Sequence, residues 1–244
     1  MILLALDTST PGGGIALVRD DRLVEARSGD PSRTHGERLP TEILELLRAQ
    51  ALRPADVDVW AVAAGPGSFT GLRVGIATVQ GFALVHDRRV VAVPSLDALA
   101  CAAGPEADGL PIAAWIDAAR GEVFAALFSA APGAAAADPD TGLVTLDAPS
   151  VGRPTDVLDR WISRVTGPLV FAGTGAVRYR AILAGHPRAR TMGEPRRPVV
   201  AAIADIAAVR ARAGRLVGPH AIVPVYVRRS DAELARDRRA SESA

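Results

Sequence analysis

Short apolar runs and longer amphipathic segments follow one another in the first half of the chain. The continuous apolar runs are too short for helices and predict buried strands, whereas Leu39, Ile43, Leu46 and Leu47 recur with the spacing of one helix face. This order is typical of a mixed α/β layout. The predicted elements are a strand at 2–7, two strands around a turn at 19–21, a helix at 35–50, a strand at 57–65, a helix at 71–85 and a strand at 88–95.

The pattern of the first half returns in the second. Residues 110–128 repeat the order of apolar strand, aspartate, turn and alternating strand found at 2–18, and residues 169–175 resemble 61–67. The interval from the aspartate to the glycine that ends the second motif is 58 residues in the first half and 56 in the second. Two matches in the same order at nearly equal spacing indicate an internal duplication.

The duplication predicts two similar lobes with a cleft between them, an α/β fold of the actin-like, sugar-kinase-like kind. The predicted boundaries are 1–104 for the N-terminal lobe, 105–230 for the C-terminal lobe and 231–244 for a disordered polar tail. In the second half, helices are predicted at 154–165 and 199–214, and the low-complexity stretch 131–140 is predicted to be a surface loop.

Composition excludes several kinds of chemistry. All 28 basic residues are arginine, so no lysine is available as a catalytic base or phosphate clamp, and the net charge of +1 gives no general attraction to nucleic acid or membrane. Cys101 is the only cysteine, which excludes an internal disulfide and fits a reducing compartment. The chain lacks a basic leader and a long apolar run, so we expect a cytoplasmic protein without a membrane segment.

A glycine-rich stretch, GPGSFTGLRVG at 65–75, lies between a predicted strand and a predicted helix. It lacks the spacing of a phosphate-binding P-loop and of a dinucleotide fingerprint, and no lysine follows it. Two interpretations remain. The helix start near Thr70 could bind an anion through its free backbone donors, or the stretch could be a turn capped by Ser68 or Thr70.

The helix at 71–85 has almost no polar face. Arg73 and Gln80 are its only strongly polar side chains, so both of its apolar flanks require cover. Either both flanks are buried within this chain, or one flank is a partner surface that Gly71 and Gly75 let a second helix approach closely. We expect a partner interface formed with the preceding helix, through Leu39, Ile43, Leu72, Val74, Gly75, Thr78, Phe82 and Val85.

An aspartate follows the first strand of each half, as in actin-like ATPases. In that class the first turn reads D-x-G-[ST], but here the turns are DTST and DAAR, and Ser9 stands at the glycine position. We therefore expect at most a vestigial nucleotide site, at Asp7, Thr8, Ser9, Asp117, Gly173 and Gly175. The four histidines are too far apart in sequence for a recognisable metal motif, and no G-x-S-x-G elbow is present.

Arginines are concentrated in the loop HPRARTMGEPRRP at 186–198. A solvated basic loop is the favoured interpretation, and contact with RNA phosphates is the alternative.

Several of these stretches resemble the TsaB (YeaZ) family, bacterial subunits of the machinery that makes threonylcarbamoyladenosine in tRNA. The resemblance is strong over 1–128 and weaker at FAGTGA and the ending PVYVRRSD. It implies an actin-like fold of two lobes and a sister subunit, TsaD, that carries the chemistry and pairs through helices of the first lobe. The stretches that carry it most strongly are LALDTST, HGERLPTEILELL, GPGSFTGLRVGIATVQGFAL, VPSLDALA and IDAARGEVFAALF.

The resemblance also implies that this chain holds no metal and no cofactor of its own. Ser95 and Leu99 stand where the histidines of a V-N-H-M-E-A-H pattern bind the metal in TsaD. ATP and a metal are expected on the TsaD partner, and a TsaE-like ATPase is a further expected partner. A homodimer through the same helices stays open, and contact with tRNA is expected to be indirect or weak.

Two functional hypotheses follow. The favoured one is a non-catalytic scaffold that binds TsaD for transfer of a threonylcarbamoyl group to adenosine in tRNA. The alternative is an active ATP-dependent phosphotransferase or ATPase that uses Asp7 and Asp117.

Overall fold

Ten strands and seven helices are assigned in the computed structural model, which describes residues 1–130 and 135–228. The first four residues of the predicted surface loop, the end of the predicted C-terminal lobe and the predicted disordered tail lie outside the described residues. The strands are β1 Ile2–Asp7, β2 Gly14–Arg19, β3 Arg22–Ser28, β4 Val59–Gly65, β5 Arg89–Pro94, β6 Ile112–Asp117, β7 Val123–Ala130, β8 Leu143–Gly152, β9 Leu169–Ala172 and β10 Ala189–Gly193. The helices are α1 His35–Ala49, α2 Phe69–Val85, α3 Ser95–Ala103, α4 Pro154–Arg164, α5 Thr174–Arg178, α6 Arg180–Ala184 and α7 Val199–Arg212.

The strands form two five-stranded sheets with the same topology. The first has the order β3-β2-β1-β4-β5, and the second has the order β8-β7-β6-β9-β10. In each sheet the first three strands of the half are antiparallel, and the central strand pairs in parallel with the next one along the chain. The predicted duplication and the two-lobe α/β architecture are confirmed. Below, the first lobe is the part built on the first sheet, and the second lobe is the part built on the second.

Alternating side chains along each strand divide the core into layers. In β1, Leu3 and Ala5 pack towards α3 and α7, whereas Leu4 and Leu6 pack towards α1 and α2. The second sheet likewise packs one face against α3 and the other against α4, α5 and α6. Because successive side chains of a strand point to opposite faces, a fully apolar strand such as β1 serves two helical layers at once.

Two helices lie between the sheets. α7 packs on β1, β2, β4 and β5, although it is encoded in the second half of the chain, and α3 contacts both α7 and β6. Leu96 and Leu99 of α3 belong to the core cluster of the second sheet, whereas Ala98 and Ala102 belong to that of the first. The lobes therefore share packed helices, and the predicted boundary between residues 104 and 105 stays a prediction.

Candidate partner surface and interlobe cleft

The turn after β1 folds back on itself around a buried carboxylate. Asp7 is only 4% exposed, and its Oδ1 accepts hydrogen bonds from the backbone N–H of Ser9 at 2.8 Å and from the Ser9 hydroxyl at 2.7 Å. Burial raises the pKa of the Asp7 carboxyl above its ordinary value, and the hydrogen bonds from Ser9 only partly oppose this shift. The Ser9 hydroxyl is thus directed at Asp7.

The glycine-rich stretch at 65–75 packs against this turn. The Ser68 backbone N–H donates to the Ser9 carbonyl at 2.7 Å, and the Ser68 side chain accepts from the Gly71 N–H at 3.2 Å, as an N-cap of α2. A Cβ atom at Gly67 would lie 2.5 Å from the Ser9 carbonyl oxygen. The capped-turn interpretation from the sequence is therefore confirmed, with Ser68 as the cap.

The glycines of α2 contact the same turn rather than a second helix. A Cβ atom at Gly71 would lie 2.1 Å from the Thr8 carbonyl oxygen, and one at Gly75 would lie 2.2 Å from Thr8 Oγ1. The sequence prediction that Gly71 and Gly75 permit helix–helix approach to a partner is wrong. Their small size is required because the β1 turn approaches the helix backbone.

These contacts bear on whether the cleft fits a nucleotide and its metal. At the start of α2 the Ser68 N–H donates to the Ser9 carbonyl and the Gly71 N–H donates to the Ser68 side chain, so these two backbone donors are not free to bind a phosphate. Asp117, the second predicted aspartate, pairs with Arg178 at 3.3 Å. The donor set therefore does not fit a metal-bound triphosphate of the kind that actin-like ATPases hold.

The two glycines predicted for the second half of this site have structural roles. Gly173 has φ +101°, and a Cβ atom there would lie 2.4 Å from the Trp115 carbonyl oxygen. A Cβ atom at Gly175 would lie 3.0 Å from the side chains of Trp115 and Val123. Both glycines let the start of α5 pack closely on β6 and β7, as the α2 glycines do in the first lobe.

Two cavities nevertheless lie in the cleft. The larger, about 850 Å³, lies between the β1 turn, the start of α2, the β6–β7 turn and residues 225–228. The smaller, about 510 Å³, is lined by Asp7 and by Ser95, which is 1% exposed and whose hydroxyl has no hydrogen-bond partner. Leu99 lines the same cavity. Within residues 1–130 and 135–228, no group of three His, Cys, Asp or Glu side chains is placed to hold a metal ion.

Half of the predicted partner residues are interior. Leu39, Ile43, Leu72 and Gly75 are buried in this chain, the first two in the cluster between α1, α2 and the first sheet. They have no surface to offer a partner, which corrects the sequence prediction. The wide apolar arc of α1 is explained by packing on α2 and the sheet, because a helix between two neighbours buries more than one stripe.

The other half remains accessible. Val74, Thr78 and Phe82 are partly buried, and Phe82 stacks on Trp60 with ring centroids 4.7 Å apart. Val85 is 78% exposed, and it is joined by two exposed residues absent from the prediction, Leu84 and Phe69, at 49% and 43%. We call the exposed apolar residues Phe69, Leu84 and Val85, with Val74, Thr78 and Phe82, the α2 surface.

The two strongly polar side chains of α2, Arg73 and Gln80, form hydrogen bonds with residues of the same chain. Arg73 Nε donates to the Tyr226 hydroxyl at 3.0 Å, and Gln80 donates to the carbonyls of Pro219 and Ile222 at 3.0 and 3.2 Å. No periodic pattern predicts these contacts, since 219–226 is a short segment far away along the chain.

The basic loop is largely anchored to the protein. Arg188 donates to the carbonyls of Val165 and Ile162 at the end of α4, and Arg197 pairs with Asp205. The end of the loop precedes α7, and its middle forms the edge strand β10. The guanidinium groups of Arg188 and Arg197 have partners within the chain, whereas the Arg196 side chain is 93% exposed beside Glu106. The arrangement fits a solvated basic loop, and the RNA-phosphate contact stays the alternative.

Comparison with known proteins finds relatives that are named for one tRNA modification. The family model of TsaD, tRNA N6-adenosine threonylcarbamoyltransferase, matches residues 30–138. The tRNA threonylcarbamoyladenosine biosynthesis protein TsaB of Bacillus subtilis is 38% identical over 128 residues, 52% of this chain and 55% of that protein. The matched part thus spans about half the length of this relative. An uncharacterized protein of Mycobacterium tuberculosis is 33% identical over 233 residues, 95% of this chain and 93% of that protein.

A solved structure extends the similarity over the whole fold. YeaZ from Pseudomonas aeruginosa superposes with a TM-score of 0.73 at 28% identity and covers 92% of this chain and 99% of that one. Together with the duplicated sheets and the shared cleft, this defines a protein of the actin-like α/β class. The chain belongs to the TsaB (YeaZ) family. No helix in the described ranges is long and apolar enough to cross a lipid bilayer.

Proposed function

We propose that this chain is an accessory subunit of threonylcarbamoyladenosine biosynthesis that binds a TsaD-type transferase through the α2 surface and performs no chemistry itself. Three apolar side chains of one helix, Phe69, Leu84 and Val85, are between 43% and 78% exposed, and this observation carries the proposal. Phe69 begins α2 and Leu84 and Val85 end it, with the partly buried Val74, Thr78 and Phe82 between them, and extended apolar surfaces of this kind mark interaction sites. Family membership supports the identity of the partner, because relatives carry the name of this pathway.

The state of the cleft favours this function over an ATPase. In the alternative hypothesis Asp7 and Asp117 would hold a metal-bound phosphate, but Asp7 is buried with a raised pKa and Asp117 pairs with Arg178. We propose that ATP and the metal belong to the transferase, that a TsaE-like ATPase joins the complex, and that the subunit acts in the cytoplasm. Contact of this chain with tRNA is proposed to be indirect.

Reconstitution tests the proposal. The TsaD-type transferase of the same organism, a source of the threonylcarbamoyl group and unmodified tRNA are incubated with and without this chain. We expect modified adenosine to form only when the chain is present, and we expect the Asp7→Asn variant to support the same rate as the wild type. Modification at an equal rate without the chain contradicts an accessory role, and loss of modification with Asp7→Asn favours the ATPase alternative.

A further inference from the structure

Residues 217–228 form a segment, here called the strap, that runs along the first lobe before it meets the second. Val217 exchanges two backbone hydrogen bonds with Val90 of β5, at 3.0 and 3.1 Å. Further along, Gln80 of α2 donates to two strap carbonyls, and the Val225 N–H donates to the carbonyl of Ala64, near the end of β4, at 2.7 Å. The strap is thus fixed to the first sheet and to α2 at several points.

The strap then contributes a side chain to the α2 surface. The Tyr226 ring stacks on Phe69 with centroids 5.2 Å apart, and its hydroxyl accepts from Arg73. The Arg73 guanidinium lies 3.9 Å from the centre of the Phe69 ring, which is a favourable cation–π distance. Tyr226 is itself 42% exposed, so a partner that contacts Phe69 meets Tyr226 as well.

The next two residues belong to the second lobe. Val227 packs against the core cluster that α3 shares with the second sheet. Arg228 donates to the Ala118 carbonyl at 2.8 Å, forms an ion pair with Glu122, and lies 5.5 Å from the Phe124 ring centre. Three consecutive residues therefore join the α2 surface to the β6–β7 turn.

The end of the strap is also a wall of the cleft. Residues 225–228 line the 850 Å³ cavity together with Ser9 of the first lobe and with Asp117 and Thr174 of the second. A movement of the second lobe relative to the first changes this cavity and must move Arg228 or break its contacts. A displacement of Tyr226 also moves the backbone of residues 226–228, which carries Arg228.

We propose that the strap couples the α2 surface to the relative position of the two lobes, so that a partner bound at Phe69 and Tyr226 sets the width of the cleft. The identity of that partner rests on the proposed function, whereas the coupling is a property of the isolated chain. Coupling requires one element whose position depends on both the α2 surface and the second lobe. The Tyr226–Arg228 segment contacts both.

Interlobe distances in the isolated chain test the coupling. Spin labels are placed at Glu45→Cys on α1 and Arg164→Cys on α4, both exposed positions, in a Cys101→Ala background. We expect a narrow distance distribution in the otherwise unchanged chain and a broader or shifted one in both Arg228→Ala and Tyr226→Ala. Matched controls are Arg53→Ala, which removes an ion pair within the first lobe, and Leu84→Ala, which alters the α2 surface away from the strap.

The outcomes separate the two proposals. A change with Arg228→Ala and Tyr226→Ala, but not with the controls, supports the coupling. Distributions that match the controls overturn it, and so does a change with Arg228→Ala alone, because Tyr226 then has no influence on the lobes. If circular dichroism shows that Tyr226→Ala is unfolded, Tyr226→Phe removes only the hydrogen bond to Arg73 and takes its place. A transferase that fails to bind the wild-type chain overturns the proposed function and leaves the coupling intact.

Discussion

Gly75 of α2 lies against Thr8 of the β1 turn so closely that a Cβ atom at Gly75 would be 2.2 Å from Thr8 Oγ1. The buried Thr8 side chain cannot move away freely, because it is fully enclosed by the fold. A glycine that resembles a phosphate-loop residue in the sequence is thus a packing residue between the first strand and the second helix.

The first prediction compares two glycines of the same helix. Gly75→Ala should lower the free energy of unfolding by about 1–3 kcal/mol, since the added methyl group overpacks the contact with Thr8. Gly81 is exposed with no atom within 4 Å of an added Cβ, so Gly81→Ala should raise the free energy of unfolding by about 1 kcal/mol through helix propensity. Urea unfolding of both variants measures the difference. Equal effects at both positions would contradict the packing role of Gly75.

The second prediction concerns pH. Burial, aided by the nearby Asp138 carboxylate, raises the pKa of Asp97 on α3 from 3.8 to about 6. Between about pH 4 and pH 6, Asp97 is therefore protonated in the folded state and ionised in the unfolded state. Its contribution lowers the free energy of unfolding as the pH rises through this range. The difference in pKa corresponds to about 3 kcal/mol.

The measurement is urea unfolding between pH 4 and pH 7.5 for the wild type and Asp97→Asn. Since other groups also titrate, the quantity compared is the difference between the two curves, which should favour Asp97→Asn increasingly up to about pH 6 and then level off. Asp159→Asn, at an exposed position on α4, serves as the control. A constant difference across this range would show that Asp97 ionises normally in the folded protein.

The third prediction concerns nucleotide. Since Asp7 is bonded to Ser9 and Asp117 pairs with Arg178, calorimetry with ATP and magnesium should detect no binding tighter than about 1 mM. In urea unfolding near neutral pH, Asp7→Asn should be at least as stable as the wild type, because the raised pKa of Asp7 means that its charge is unfavourable when buried. Micromolar binding that Asp7→Asn abolishes would revive the ATPase hypothesis.

The sequence was sufficient for the lobes and most of their elements because the apolar pattern of each half is strong. Continuous runs such as 59–65 and the helical spacing of α1 follow directly from burial on two faces or on one. Five elements, α3, α5, α6, β8 and β10, were not predicted. The pairing of β8 with β7 is interrupted by register shifts, and β10 is a short strand at the edge of its sheet in a polar, arginine-rich stretch.

The site was harder to predict than the fold. An apolar residue of α2 reads the same in sequence whether it packs on its own sheet, as Leu72 does, or is exposed, as Leu84 is. The glycines were assigned to the wrong neighbour, because close approach between residues 8 and 75 is a property of the folded chain. Tyr226 joins the α2 surface only through the path of the strap, which has no periodic pattern.

The central claim is that the α2 surface binds the TsaD-type transferase, and a matched pair of leucines tests it. Leu84 on α2 and Leu146 on β8 are 49% and 45% exposed, so replacing either by arginine disturbs the fold to a similar, small extent. Isothermal titration measures the dissociation constant of each variant with the transferase. The account predicts at least a tenfold loss of affinity for Leu84→Arg, about 1.4 kcal/mol, and wild-type affinity for Leu146→Arg. Wild-type affinity for Leu84→Arg, or an equal loss for both, would contradict it.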